Sequence, residues 1–231
     1  SPGMVYATYT KSPQIGGVAT AFNEAHIKAM RGVIDAFMVD QFAEPKSFNT
    51  GNGAMFSGVA IVATSTWAAI KAKRELDIQW DTSNAEVASW DDLVARAYSM
   101  VDSDGAMDLP SKGDVAGAMS SAAKVVSAMY EYPYVSHAQL EPETTTAIFE
   151  NGKIEIWAPS QVPQGGEGGA AALLGLTPEN SILHQTRIGG GFGRKLANDY
   201  VFEAAAIARR MEGRPVKLQW TREDDMMHDY F

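Results

Sequence analysis

The chain has no cysteine among its 231 residues. This absence excludes disulfide bonds, cysteine-ligated zinc and cysteine-held iron–sulfur clusters. It leaves the compartment open, because a cysteine-free chain suits the cytosol and the periplasm alike. The chain also lacks an excess of positive charge, since 19 basic and 28 acidic residues give a net charge of −9. A nucleic-acid partner normally requires a basic face, so none is expected.

Long apolar runs are missing as well. A membrane-spanning helix needs about 20 consecutive apolar residues, and no stretch of the chain approaches that length. Residues 54–63 are apolar but short and interrupted by glycine, and we interpret them as a buried strand. Nothing at the N-terminus resembles a signal peptide. The chain opens without a methionine and ends directly after a charged run, so we expect it to be the front part of a longer protein.

Acidic charge is concentrated in the second part of the chain. Residues 1–82 hold seven basic and seven acidic side chains, whereas residues 83–231 hold 12 and 21. This asymmetry favours two units with a boundary near residue 82. Strand-like alternation and helix-like spacing interleave in the first part, which predicts an α/β (α+β) fold. Polar loops are predicted over residues 44–53 and 102–114.

Local patterns in the second part predict further elements. Residues 89–101 have helical spacing with Ser89 as N-cap, and residues 115–132 predict a short helix that runs into a strand. Asn151-Gly152 lies between two alternating runs and predicts a β-hairpin with a type I′ turn. Residues 181–213 predict a strand, a glycine loop and a helix in succession.

Two glycine clusters stand out, at residues 161–176 and 188–195. A glycine loop before a helix lets backbone N–H groups converge on an anion, usually a phosphate. The second cluster matches neither phosphate motif, because Arg194 replaces the last glycine of the dinucleotide pattern and Leu196 follows Lys195. The pattern fits a loop that only packs against the fold as well as a loop that binds a ligand. The bulky Phe192 between glycines favours a functional loop.

Other constellations have weaker patterns. The four histidines are scattered and do not predict a metal site: His26, His137, His184 and His228. Ser160, His137 and Asp199 could form a hydrolase triad, but no nucleophile elbow accompanies them. The acidic run at residues 223–225 could bind a divalent cation, although a solvated charge run is more common.

Several segments together resemble a known family. Residues 189–195 read GGGFGRK, residues 157–161 read WAPSQ and residues 137–142 read HAQLEP. These three segments resemble motifs of the molybdenum hydroxylases, the family of xanthine oxidase and aldehyde oxidoreductase, and they occur in the same order along the chain as in that family. Residues 213–225 resemble the segment after the loop's helix. Residues 1–82 are similar to the small hammerhead domain that precedes the molybdenum domain, which would then begin at residue 83.

The resemblance implies a cofactor and a set of contacts. Members carry molybdenum on a molybdopterin, here expected in a dinucleotide form, whose dithiolene supplies the sulfur that this chain lacks. They hydroxylate an aldehyde or an N-heteroaromatic carbon with oxygen from water. By resemblance, Gln161 would hydrogen-bond an oxo ligand of the metal. The cofactor would be held by the loop, namely Gly190, Gly191, Phe192 and Gly193, with Arg194 as a phosphate or pterin partner. Within the family, the chain resembles the beta subunits of isoquinoline 1-oxidoreductase and related bacterial aldehyde dehydrogenases.

Other expectations concern what this chain does not contain. Purine-oxidising members have an acid four residues after the loop phenylalanine, where this chain has Leu196, so xanthine is not expected as a substrate. The family's glutamate base would lie downstream of Phe231, and iron–sulfur clusters would lie on a small [2Fe-2S] partner subunit. The chain alone is therefore not expected to turn over substrate. The alternative is a non-catalytic α/β protein that binds a ligand or partner and uses the glycine loop for packing.

Overall fold

A computed structural model describes residues 2–42, 54–85, 89–101 and 112–230. The predicted loop at 44–53, and residues 102–111 of the second predicted loop, lie outside these residues. Within the described ranges the strands are β1 Val5–Lys11, β2 Val18–Phe22, β3 Val33–Val39, β4 Gly58–Ala63, β5 Ile78–Asp81, β6 Thr144–Glu150, β7 Lys153–Ala158, β8 Ser181–Gln185 and β9 Val216–Gln219. The α-helices are α1 Glu24–Ala29, α2 Thr66–Lys73, α3 Trp90–Met100, α4 Val115–Ser121, α5 Pro163–Leu174, α6 Asp199–Arg210 and α7 Arg222–Met227.

Seven strands form one mixed sheet in the order β3-β4-β1-β9-β6-β7-β8, and β2 pairs with β5 in a second, two-stranded sheet. The predicted α/β class is confirmed by this sheet and the helices that pack on it. Strand β1 runs parallel to β9, with Val5 opposite Val216. Strands from both sides of residue 82 therefore share one sheet, and the domain boundary proposed there stays a prediction. One compact unit comprises Ser1–Glu86 and Ser136–Phe231, and the other comprises Val87–Val135.

The core of the first unit lies between the large sheet and α6. Every residue of β4 is buried, as its uninterrupted apolar sequence predicts for a strand covered on both faces. Helix α6 buries nine of its twelve residues, among them Tyr200, Phe202 and Ile207. Burying each large apolar side chain contributes roughly 1.5–3 kcal/mol. This packing holds the N-terminal end of α6, and the glycine loop before it, in a fixed position against the sheet.

Several local predictions are confirmed. The predicted N-cap Ser89 accepts a backbone N–H bond at the start of α3 and forms a capping box with Asp92. Asn151 and Gly152 have φ angles of +51° and +74°, as a type I′ turn requires, and β6 pairs with β7 across them. The strand predicted after α4 is wrong. Residues 123–135 have no regular secondary structure.

The first glycine cluster folds as helix α5, which its glycine content did not indicate. Pro163 supplies a favourable first helical residue, and the helix ends at Gly175 in the left-handed conformation. A Cβ on Gly169 would lie 2.3 Å from the Phe202 ring, so the small residue lets α5 approach α6 closely. The helix–helix packing outweighs the low helix propensity of glycine. In the part of the chain that is described, no helix has the length and apolar character to cross a bilayer.

Candidate functional site

The second glycine cluster is a loop between β8 and α6. Three residues of the loop have positive φ angles: +97° at Gly190, +55° at Phe192 and +119° at Gly193. Positive φ is uncommon for a residue with a bulky side chain, and such strain concentrates at functional sites. The Phe192 side chain is 77% exposed, so burial does not maintain this conformation. The loop thus has a defined shape that presents an aromatic ring to the surface.

Gln161 lies against this loop, as the resemblance implied. It follows β7, and its backbone N–H donates to the carbonyl of Lys195 at 2.9 Å. Its side-chain Oε1 accepts from the N–H of Gly193 at 3.3 Å. A Cβ on Gly191 would lie 2.6 Å from the same oxygen, so a larger residue there would displace the glutamine side chain from this position. Two segments 30 residues apart in sequence are therefore joined in one site.

A third segment, residues 137–142, encloses the other side of the loop. Glu141 and Gly189 exchange two bonds: the Gly189 N–H donates to Oε2 at 2.9 Å, and the Glu141 N–H donates to the Gly189 carbonyl at 3.2 Å. The buried Lys195 ammonium donates to the same Oε2 at 2.9 Å. Lys195 and Glu141 were not predicted as site residues. The HAQLEP pattern was the available signal for Glu141, and a buried lysine cannot be recognised from sequence.

The loop offers hydrogen-bond donors that the protein does not use. Within the described residues, the backbone N–H groups of Gly190, Gly191 and Phe192 have no protein acceptor. Buried backbone N–H groups are almost always paired, and Gly191 is buried. Successive N–H groups of this kind form a concavity that binds oxygen or ring-nitrogen acceptors. A polar cofactor with acceptor atoms therefore fits the loop.

Arg194 lies beneath the loop and is fully buried. Its Nη2 donates to both carboxylate oxygens of Asp199 at 3.0 Å, and its Nε lies 3.6 Å from Asp229 Oδ1. Nη1 and Nε have no hydrogen-bond partner in the described part of the chain. The structure thus separates Arg194 from the other predicted contacts: its backbone belongs to the loop, but its guanidinium points into an interior acid cluster.

Asp199 connects Arg194 to a second buried cation. Lys11 Nζ lies 2.9 Å from Asp199 and 2.8 Å from Glu203, and Trp220 Nε1 donates to Glu203 at 2.7 Å. Burial by itself would raise the pKa of Asp199, but Arg194 and Lys11 outweigh it and hold that pKa below its usual value. Burial raises the pKa of Glu203 to about 7, despite the opposing effect of Lys11. This network could not be predicted from the sequence, because Lys11 lies 188 positions before Asp199.

Other candidate residues form hydrogen bonds and ion pairs within the protein rather than a catalytic or metal site. Asp225 accepts from Gln139 at 2.5 Å and contacts Arg222, and burial raises the pKa of the neighbouring Glu143 to about 8. No group of three or more potential metal ligands occurs in the described residues. The hydrolase triad is not formed, because the Ser160 hydroxyl donates to Asn198 at 2.7 Å.

Comparison with known proteins finds one matching family profile and several similar sequences. A family profile described as the molybdopterin cofactor-binding domain matches residues 101–230. The membrane-bound aldehyde dehydrogenase [pyrroloquinoline-quinone] of Gluconacetobacter polyoxogenes is 29% identical over 99% of this chain and 29% of its own length. The isoquinoline 1-oxidoreductase subunit beta of Brevundimonas diminuta is 26% identical over 100% of this chain and 28% of its own length. The chain therefore spans less than a third of these relatives.

Solved structures show the same fold. The aldehyde oxidoreductase of Desulfovibrio gigas superposes with a TM-score of 0.70 at 17% identity, over 98% of this chain and 28% of that one. Quinoline 2-oxidoreductase of Pseudomonas putida 86 gives a TM-score of 0.66 at 18% identity, over 97% of this chain and 32% of that one. At these identities the similarity concerns the fold alone.

Proposed function

The chain belongs to the molybdopterin cofactor-binding domain family, and from this membership we propose that it is the pterin-holding part of a molybdenum hydroxylase subunit. The supporting observation is the run of unpaired N–H donors at Gly190, Gly191 and Phe192 beside the Gln161 side chain. When bound, the cofactor supplies two-electron oxidation at a substrate carbon, with oxygen from water. The substrate would be an aldehyde or an N-heteroaromatic compound.

The chain's own residues have distinct roles in this proposal. The loop N–H groups orient the cofactor without reorganisation, because α6 and residues 137–142 fix the backbone. The amide N–H₂ of Gln161 has no acceptor among the residues that the structure describes, and Gln161 would direct it at an oxygen ligand of the metal. Phe192 would shield the site from water. Arg194 would anchor the loop from below through Asp199 rather than reach the cofactor with its buried guanidinium.

The remaining parts of the proposal concern the whole enzyme. We propose a dinucleotide form of the pterin and iron–sulfur clusters on a small partner subunit. This chain, without cysteine, would not hold the clusters itself. The glutamate base would lie in the part of the subunit that this chain does not include. Leu196 occupies the position where purine-oxidising members have an acid, so purines are not proposed as substrates.

Activity of the whole enzyme that contains this chain tests the proposal. An aromatic aldehyde, an N-heteroaromatic compound and xanthine are assayed in ¹⁸O-labelled water. We expect label in the oxidised aldehyde or heterocycle and no xanthine turnover. Replacing Gln161 by alanine is expected to lower kcat roughly tenfold or more, as loss of one preorganised donor does, with molybdenum content near the wild-type value. Unlabelled product, or unchanged kinetics of Gln161→Ala, contradicts the proposal.

A further inference from the structure

His137 and Asp229 form a paired unit at the edge of the glycine loop. Asp229 accepts the His137 backbone N–H at 2.6 Å on Oδ2, and its Oδ1 lies 2.9 Å from the ring Nδ1. The carboxylate side chain is fully buried. A carboxylate only accepts hydrogen bonds, so the Nδ1 atom must carry the proton. In the neutral ring this leaves Nε2 as an acceptor with a free lone pair.

The ring is aimed at the loop. A Cβ on Gly193 would lie 2.9 Å from His137 Nε2, so this nitrogen lies directly over the Gly193 backbone. No protein group in the described part of the chain hydrogen-bonds Nε2, and the side chain is 23% exposed. The next residue, Ala138, has φ of +47°, a conformation that L side chains rarely adopt. The backbone therefore turns sharply at Ala138, directly after the residue whose ring lies over the loop.

Donors and an acceptor therefore border the same loop, with His137 Nε2 over the Gly193 backbone. Among the residues that the structure describes, the N–H groups of Gly190, Gly191 and Phe192 have no acceptor, and His137 Nε2 has no donor. The bridging phosphates of a dinucleotide are diesters that offer only acceptor atoms, so they complement the loop but not Nε2. A heterocycle edge that carries both N–H donors and oxygen or nitrogen acceptors complements both. The aminopyrimidinone ring of a pterin has such an edge.

We propose that His137, held by Asp229, accepts an N–H group of the bound pterin, so that this end of the loop binds the heterocycle rather than a phosphate. The inference rests on the proposed function and adds a contact residue to it. His137 occurs in the HAQLEP segment, to which the sequence assigned no role.

Pterin retention by the purified whole enzyme tests this contact. The wild type, His137→Phe and His137→Gln are compared, with His26→Phe as control, because His26 also pairs with a carboxylate but lies on α1. Pterin is measured as its fluorescent oxidation product during prolonged dialysis. We expect His137→Phe to lose pterin about tenfold faster than wild type, as loss of one hydrogen bond predicts. His137→Gln should lie between them, because its carboxamide oxygen can accept, and His26→Phe should match wild type.

Wild-type retention by His137→Phe overturns the contact, whereas a wild-type enzyme without pterin overturns the proposed function itself. If His137→Phe does not fold, Asp229→Asn in the whole enzyme decides instead, because an amide N–H₂ that faces Nδ1 favours the ring form with its proton on Nε2. Asp229→Asn is expected to lose pterin faster than the wild type. Wild-type retention by this variant overturns the proposal.

Discussion

At the scale of single residues, Gly191 and Gln161 lie next to one another at the loop. The glutamine oxygen occupies the space that a Cβ at position 191 would enter. The resemblance of WAPSQ and GGGFGRK to one family predicts that these two segments share a site. Arg194 was not predictable in the same way, because its orientation depends on Asp229 and on the Asp199–Lys11 pair, which no short motif connects.

Replacing Gly191 by alanine tests this contact. The added Cβ would meet Gln161 Oε1 at 2.6 Å and displace it. We expect the free energy of unfolding to change by less than about 1 kcal/mol, because the side chain that must move is exposed and flexible. The cofactor content of the whole enzyme is expected to fall, because the displaced glutamine no longer lies against the loop. Gly168→Ala is the control, because Gly168 lies in α5 with open space around it and should keep the wild-type cofactor content. Equal cofactor contents of the two variants contradict the account.

Buried acids give a second residue-scale prediction. Burial raises the pKa of Glu143 from 4.5 to about 8, so the folded chain keeps a proton that the unfolded chain releases. The stability from this proton is complete below pH 4.5 and is lost as the pH rises through 8. Burial lowers the pKa of His228 to about 3, which opposes this trend only below pH 6.5.

The interval from pH 6.5 to 8 therefore isolates the buried acids. We expect the free energy of unfolding to fall over this interval, by at most about 1.4 kcal/mol per pH unit for each acid. Glu143→Gln should reduce the fall, because an amide does not ionise, while Glu203 retains its own share. An equally steep fall in Glu143→Gln, measured by urea denaturation at the two pH values, would remove Glu143 from the explanation.

At the scale of elements, the loop owes its position to α6 on one side and to residues 137–142 on the other. Periodicity predicted α6 from its apolar spacing, and the cap of α3 followed from the position of Ser89. Helix α5 was missed because glycine propensity is a local property, whereas Gly169 is required by the close approach of Phe202. The strand predicted after α4 was wrong, since the composition of a segment does not by itself supply a pairing partner.

Helix α7 provides an element-scale prediction. Thr221 and Asp224 form a capping box at its start, and the chain leads from its end to Asp229, which holds His137. Thr221→Ala is expected to lower the free energy of unfolding by about 1 kcal/mol, the usual contribution of a cap. Thr82→Ala, at an exposed turn, should change it by less than about 0.5 kcal/mol. Indistinguishable denaturation midpoints for the two variants would show that the cap does not hold α7.

At the scale of the whole molecule, one sheet connects the N-terminal strands to the strands beside the site. Strand β1 pairs with both β4 and β9, and Lys11 at its end reaches the acid cluster under the loop. The fold class was predictable from interleaved helix and strand patterns. The strand order was not, because β1 and β9 lie about 200 residues apart and their pairing depends on long-range burial.

Molybdenum and pterin content of the freshly purified whole enzyme tests the central claim most directly. Metal analysis by mass spectrometry and fluorescence of the released, oxidised pterin are measured on the same sample and normalised to this chain. The account predicts about one molybdenum and one pterin per chain, as one loop of this kind per subunit implies. A protein that carries neither, or that carries a pyrroloquinoline quinone in their place, would contradict it.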